Sequence, residues 1–100
     1  MMLIDFYQDK IQQFLACCEQ LMQCEDLKLY SVADFYAASW LNDFPQGTTW
    51  RTSGLDDGAE EFYAVIEFRG YRLTLDVGQT TQLKLLYPVG AIKHSTDLNR

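Results

Sequence analysis

The sequence predicts an α+β fold in which two N-terminal helices pack on one face of a three- to four-stranded antiparallel β-meander. Three observations carry that expectation. Apolar residues recur at helical spacing from Ile4 to Met22, and they alternate with period two from Phe62 to Tyr87. The dipeptide Arg69-Gly70 interrupts the alternation as a hairpin turn does.

Asp5 is the expected N-cap of the first helix, with Gln8 in capping-box spacing behind it. Tyr7, Ile11, Phe14, Leu15, Cys18, Leu21 and Met22 form an apolar stripe that Ile4 extends upstream. Lys10, Gln12, Gln13, Glu19, Gln20 and Gln23 take the other side, so the helix is amphipathic over about five turns. Glu25 and Asp26 are unfavourable at the negative end of a helix dipole, which predicts a stop near Cys24. Leu27 to Tyr30 reads equally as a linker or a brief strand.

Ser31 and Asp34 then give a second capping signal, opening a helix expected to run from Val32 to Asp43. Val32, Phe35, Tyr36, Ser39 and Trp40 share one face of it. Ala33, Ala37, Ala38 and Leu41 make most of the remainder apolar, the composition of a helix sandwiched between other elements. Pro45 and Gly47 close it.

In the second half, Phe62, Ala64, Ile66 and Phe68 alternate with Tyr63, Val65 and Glu67. Tyr71, Leu73, Leu75 and Val77 alternate with Arg72, Thr74 and Asp76. With Arg69-Gly70 as a two-residue loop, Phe68 faces Tyr71, Ile66 faces Leu73, Ala64 faces Leu75 and Phe62 faces Val77, while Glu67 opposes Arg72. This register forces a positive φ on Arg69, at roughly 1–2 kcal/mol. The alternative loop, Gly70-Tyr71, suits a type II′ turn but sets Arg69 against Arg72. The first register is therefore preferred. Both put the same residues on the core face.

Thr48 to Ser53, around Trp50, is the expected first strand, joined to the hairpin by the loop Gly54 to Glu60. Gly78 to Thr81 makes another turn, and a last strand runs through Leu83, Leu85 and Tyr87 until Pro88. Residues 1–90 read as a single α+β domain and residues 91–100 as a polar, frayed tail. A chain of 100 residues with 48% hydrophobic content supports one core.

The net charge is −6, of which −5 falls in residues 1–50. An acidic first half without clustered Lys or Arg argues against nucleic acid and against anionic membranes as partners. The longest uninterrupted apolar run, Phe14 to Cys18, is far short of the ~20 residues of a membrane span. Met1 to Ile4 meets Asp5 at once, without a basic flank or an apolar stretch long enough for a targeting signal. Three cysteines do not make a paired framework, so free thiols and a cytoplasmic location are expected.

Catalytic and cofactor patterns are weak throughout, and the expectation is a non-enzyme without a cofactor. His94, the only histidine, falls in the tail, away from Cys17, Cys18 and Cys24 on the first helix. A zinc site would need a Cys-x-x-Cys pair or further histidines. Asp56, Asp57, Glu60 and Glu61 concentrate charge in one loop, but without the alternate-position ligands of a calcium loop. That loop is read as a solvated connection, and a small metal-dependent enzyme built on it ranks last among the functional readings. The glycines fit neither the dinucleotide fingerprint nor the P-loop.

One surface goes beyond composition. If helices cover the Phe62/Ile66/Leu73/Leu75 face, the opposite face carries Tyr63, Val65 and Leu86 among Glu67, Arg72, Thr74, Asp76 and Lys84. Apolar groups ringed by charges of both signs resemble a protein contact patch. The leading expectation is a protein–protein interaction module using Tyr63, Val65, Glu67, Arg72, Thr74 and Leu86. Its partner is another protein, or a second copy meeting it through the open face or an edge strand. The alternative is an acidic inhibitor or immunity-type protein that occupies a basic site on a toxin or nucleic-acid enzyme.

Overall fold

The computed structural model describes residues 3–25, 27–53, 56 and 58–89, with side chains from Tyr7 onward. Helix α1 spans Leu3–Gln23, helix α2 spans Val32–Ala37, and a 3-10 helix covers Ser39–Asp43. Strands β1 (Thr49–Thr52), β2 (Phe62–Phe68), β3 (Tyr71–Val77) and β4 (Thr81–Leu86) follow. They form one antiparallel sheet in the order β1-β2-β3-β4. The architecture is α+β, with the meander that the alternation predicts.

Along α1, Phe14, Cys18 and Leu21 are buried, Ile11 and Leu15 are half-buried, and Tyr7 and Met22 are exposed. Ile4 lies outside the described side chains. The helix ends at Gln23, where the Cys24 amide donates to the Leu21 carbonyl at 3.1 Å. Its start differs from expectation. It opens at Leu3, so Asp5 lies inside the first turn rather than at the N-cap. An acid there still favours the positive end of the dipole.

The second helix is shorter than its periodicity predicts. Ser31 caps it as expected, its Oγ accepting from the Asp34 amide at 3.3 Å while the Asp34 carboxylate accepts from the Tyr30 amide at 2.9 Å. At Ala38, however, the backbone turns extended (ψ 124°) and the chain restarts as the 3-10 helix. Geometry explains the break. Nine residues at about 100° each would set Leu41 on the side opposite Val32 in a continuous helix. The break at Ala38 lets Val32, Phe35, Leu41 and Phe44 all enter the core. The expected sandwiching fails for the same reason: Ala33, Tyr36 and Ala37 face solvent. Leu27 to Tyr30 is a linker, with Leu29 buried in it.

Helical and sheet residues share one hydrophobic cluster. Phe14 is 0% exposed, and its ring lies 5.4 Å from Phe44 and stacks 5.8 Å from Phe68. Phe62, Ala64, Ile66, Phe68, Leu73, Leu75 and Val77 are all buried, as the alternation requires. The hairpin adopts the preferred register: Phe68↔Tyr71, Glu67↔Arg72, Ile66↔Leu73, Ala64↔Leu75 and Phe62↔Val77. Arg69 (φ 48°) and Gly70 (φ 88°) both sit in the left-handed region, as a type I′ turn demands. The Arg69 guanidinium lies 3.9 Å above the Tyr7 ring, a cation–π contact that offsets part of the backbone strain. At Gly70 a side chain would also meet Pro88, whose Cβ would stand 2.9 Å from the added carbon.

Candidate functional site

Strand pairing lays the second face of the sheet out as a grid. One row across the four strands reads Thr49, Glu67, Arg72 and Leu86, and the next reads Arg51, Val65, Thr74 and Lys84. A third row holds Tyr63, Asp76 and Gln82. None of these side chains is buried. Tyr63 is 59% exposed and Leu86 39% exposed, while Val65, Glu67 and Thr74 are half-buried by their neighbours on the pleat.

All six expected contact residues therefore lie on one face, but they do not form one apolar spot. Tyr63 and Val65 are adjacent along β2. Leu86 lies two strands away, beside Arg72 in the row furthest from Tyr63. An ion-pair cluster stands between them. Arg72 donates to Glu67 Oε2 from Nε at 3.0 Å and from Nη2 at 2.8 Å, and Arg51 approaches Glu67 Oε1 at 3.8 Å. Glu67 is held by two cations from neighbouring strands, which fixes the middle of the face. Such exposed pairs contribute at most about 1 kcal/mol each to stability. Their stronger effect is to order polar groups around Tyr63 and Val65. Thr74 is tied down as well, its hydroxyl donating to the Lys84 carbonyl at 3.3 Å.

Arg51 was not legible as a site residue. It becomes one only because β1 pairs with β2 and sets it against Val65. The alternation of Trp50 and Arg51 in the first strand is the one signal in the sequence that could have placed it.

The acidic loop lies at the Tyr63 end of the grid. Asp56 is exposed and its Oδ1 accepts from the Gly58 amide at 2.9 Å, a local turn that uses the carboxylate. Glu60 and Glu61 are exposed, and Asp57 lies outside the described residues. Among the described residues no group of three or more His, Cys, Asp or Glu side chains is placed to hold a metal ion. Glu60 and Glu61 also border an open cleft of about 940 Å³, formed with the end of α1, the 27–30 linker and the β3–β4 turn. Glu25 and Lys28 stand on its rim, and Met22 and Leu27 supply apolar lining.

Two of the three thiols, Cys17 and Cys18, hold their protons more tightly than a free thiol does. Burial, then the neighbouring Cys17, pushes the Cys18 thiol up to about 12. Burial, then the Asp43 carboxylate, raises Cys17, whose Sγ donates to the Asp43 carbonyl at 3.3 Å. Cys24 is exposed. All three are free thiols. His94 lies outside the described residues. No helix among the described residues is long and apolar enough to cross a membrane. Comparison with protein-family models, with curated proteins and with solved structures finds no match to this chain.

Proposed function

We propose that this chain is a non-enzymatic protein–protein interaction module, and that the open sheet face receives its partner. The supporting observation is the position of Tyr63 and Val65. A half-exposed aromatic beside a branched aliphatic sits on a rigid central strand, bordered by the Glu67 ion pairs and by Thr74 and Asp76. An aromatic anchor inside a polar rim is the arrangement that carries binding energy at protein interfaces. The rim sets orientation and excludes mismatched partners, since an unmatched charge there loses solvation without compensation.

The test compares capture of host proteins by the wild-type chain and by a Tyr63→Lys/Val65→Lys variant, each at low and high salt. A specific partner retained by the wild type at high salt and lost by the variant supports this reading. Equal capture by both proteins refutes it. The acidic-inhibitor reading draws on Glu60 and Glu61 at the rim of the open cleft. It predicts the reverse pattern: capture that collapses at high salt and on Glu60→Gln/Glu61→Gln substitution, whatever stands at Tyr63.

A further inference from the structure

The two edges of the sheet differ in a way that the register makes explicit. The two-residue turn at Arg69-Gly70 makes Phe68↔Tyr71 a hydrogen-bonded pair, because the residues flanking such a turn exchange both backbone bonds. The odd-numbered residues of β3 then bond to β2 and the even-numbered ones to β4. Arg72↔Leu86, Thr74↔Lys84 and Asp76↔Gln82 are the bonded pairs on that side. In β4 it follows that Thr81, Leu83 and Leu85 direct their N–H and C=O groups outward, where no described strand pairs with them. The same parity rule makes Trp50 and Thr52 the outward residues of β1. An independent bond supports it, since the Ser53 amide donates to the Tyr63 carbonyl at 2.9 Å.

We propose that two copies of the chain pair through β4, antiparallel about a two-fold axis centred on Leu83, to form a continuous eight-stranded sheet. In this register Leu83 faces the partner's Leu83, and Thr81 faces the partner's Leu85. Each of these pairs is of the bonded kind, so every outward amide and carbonyl of Thr81, Leu83 and Leu85 finds a mate. Lys84, the one charged side chain on β4, then stands opposite the partner's Gln82, whose amide oxygen can accept from the ammonium. Shifting the two-fold axis to Lys84 would set it against the partner's Lys84 and leave Thr81 without its mate.

The β1 edge is protected where β4 is not. Pairing Trp50 with the partner's Thr52, the register that satisfies both outward residues, sets Arg51 against the partner's Arg51. A like charge directly across a strand pair is repulsive. β1 is also the shorter strand, four residues against six. The side-chain pattern therefore disfavours the fully bonded symmetric register at the β1 edge and permits it at the β4 edge. This surface is distinct from Tyr63 and Val65, so the inference stands whether or not the open face receives a partner.

Sedimentation of the full chain under reducing conditions, over a range of concentrations, tests it. The expected result is a reversible dimer of twice the 11.6 kDa chain mass. Thr81→Pro and Leu83→Pro each delete one outward donor and leave the ladder to β3 intact, a placement proline tolerates on an edge strand. Each substitution removes two symmetry-related hydrogen bonds and should raise the dissociation constant roughly ten- to a hundredfold. Gln20→Lys, on the exposed side of α1, should leave it unchanged. Amide hydrogen exchange on the wild type gives a readout without substitution: protection at Thr81, Leu83 and Leu85 should rise with concentration, and protection at Trp50 and Thr52 should not. A monomer at every concentration overturns the proposal. So does a dimer indifferent to both proline variants, or one whose concentration-dependent protection falls on β1.

Discussion

Phe14→Ala is the substitution whose cost the fold defines best. The ring is fully buried, it contacts Phe44 and Phe68, and it joins α1 both to the chain leaving the 3-10 helix and to β2. Truncating a buried Phe typically costs about 3–5 kcal/mol, the sum of lost transfer energy and the cavity left behind. Domains of this size have only about 5–15 kcal/mol to lose. At about 4–8 °C per kcal/mol, the midpoint should fall by roughly 12–40 °C. Phe14→Leu keeps most of the volume and should cost far less. Urea and thermal unfolding followed by circular dichroism measure both. A double-mutant cycle with Phe68→Leu should then show a coupling of about 0.5–1.5 kcal/mol from the stacked pair. A loss below about 1 kcal/mol for Phe14→Ala, or no coupling to Phe68, would refute the reasoning that this ring joins helix and sheet.

Other perturbations follow from local geometry. Ser31→Ala removes the side-chain cap of α2 and should cost roughly 1 kcal/mol, whereas Ser39→Ala, inside the 3-10 helix, should be close to neutral in the same unfolding assay. Thiol labelling should proceed in the order Cys24, Cys17, Cys18, with Cys18 reacting only on unfolding; Cys18 labelling at the rate of Cys24 would contradict its burial. The same thiol predicts a pH dependence. Cys18 keeps its proton in the fold to about 12 but releases it near 9.0 when unfolded, so its contribution is intact below pH 9 and is lost as pH rises toward 12. Stability measured against pH should therefore fall less steeply above pH 9 in Cys18→Ala than in the wild type.

The parts of the fold that were legible are those governed by one period. The β2–β3 register followed from alternation plus one charge comparison, Glu67 with Arg72 against Arg69 with Arg72, and those pairs are local enough to be read from neighbouring residues. The α2 region was misread because periodicity describes one continuous helix. Leu41 could reach the core only through a break at Ala38, and that demand comes from core residues elsewhere in the chain, such as Phe14, Phe44 and Phe68, not from residues 32–43 themselves. The face residues were found because they share parity. Their separation into a Tyr63/Val65 spot and a distant Leu86 depends on which strand sits beside which, as does the arrival of Arg51. The cleft was invisible because three stretches far apart in the chain build it.

Thermal unfolding of two adjacent lysine substitutions tests the division of the sheet into a buried and an open face most directly. Ile66 is 0% exposed, whereas Val65 lies on the open grid. Ile66→Lys should prevent folding or cost more than about 4 kcal/mol, because it buries an unpaired charge. Val65→Lys should fold with stability within about 1 kcal/mol of the wild type. The opposite outcome, an Ile66→Lys protein that folds normally beside a Val65→Lys protein that does not, would contradict the account.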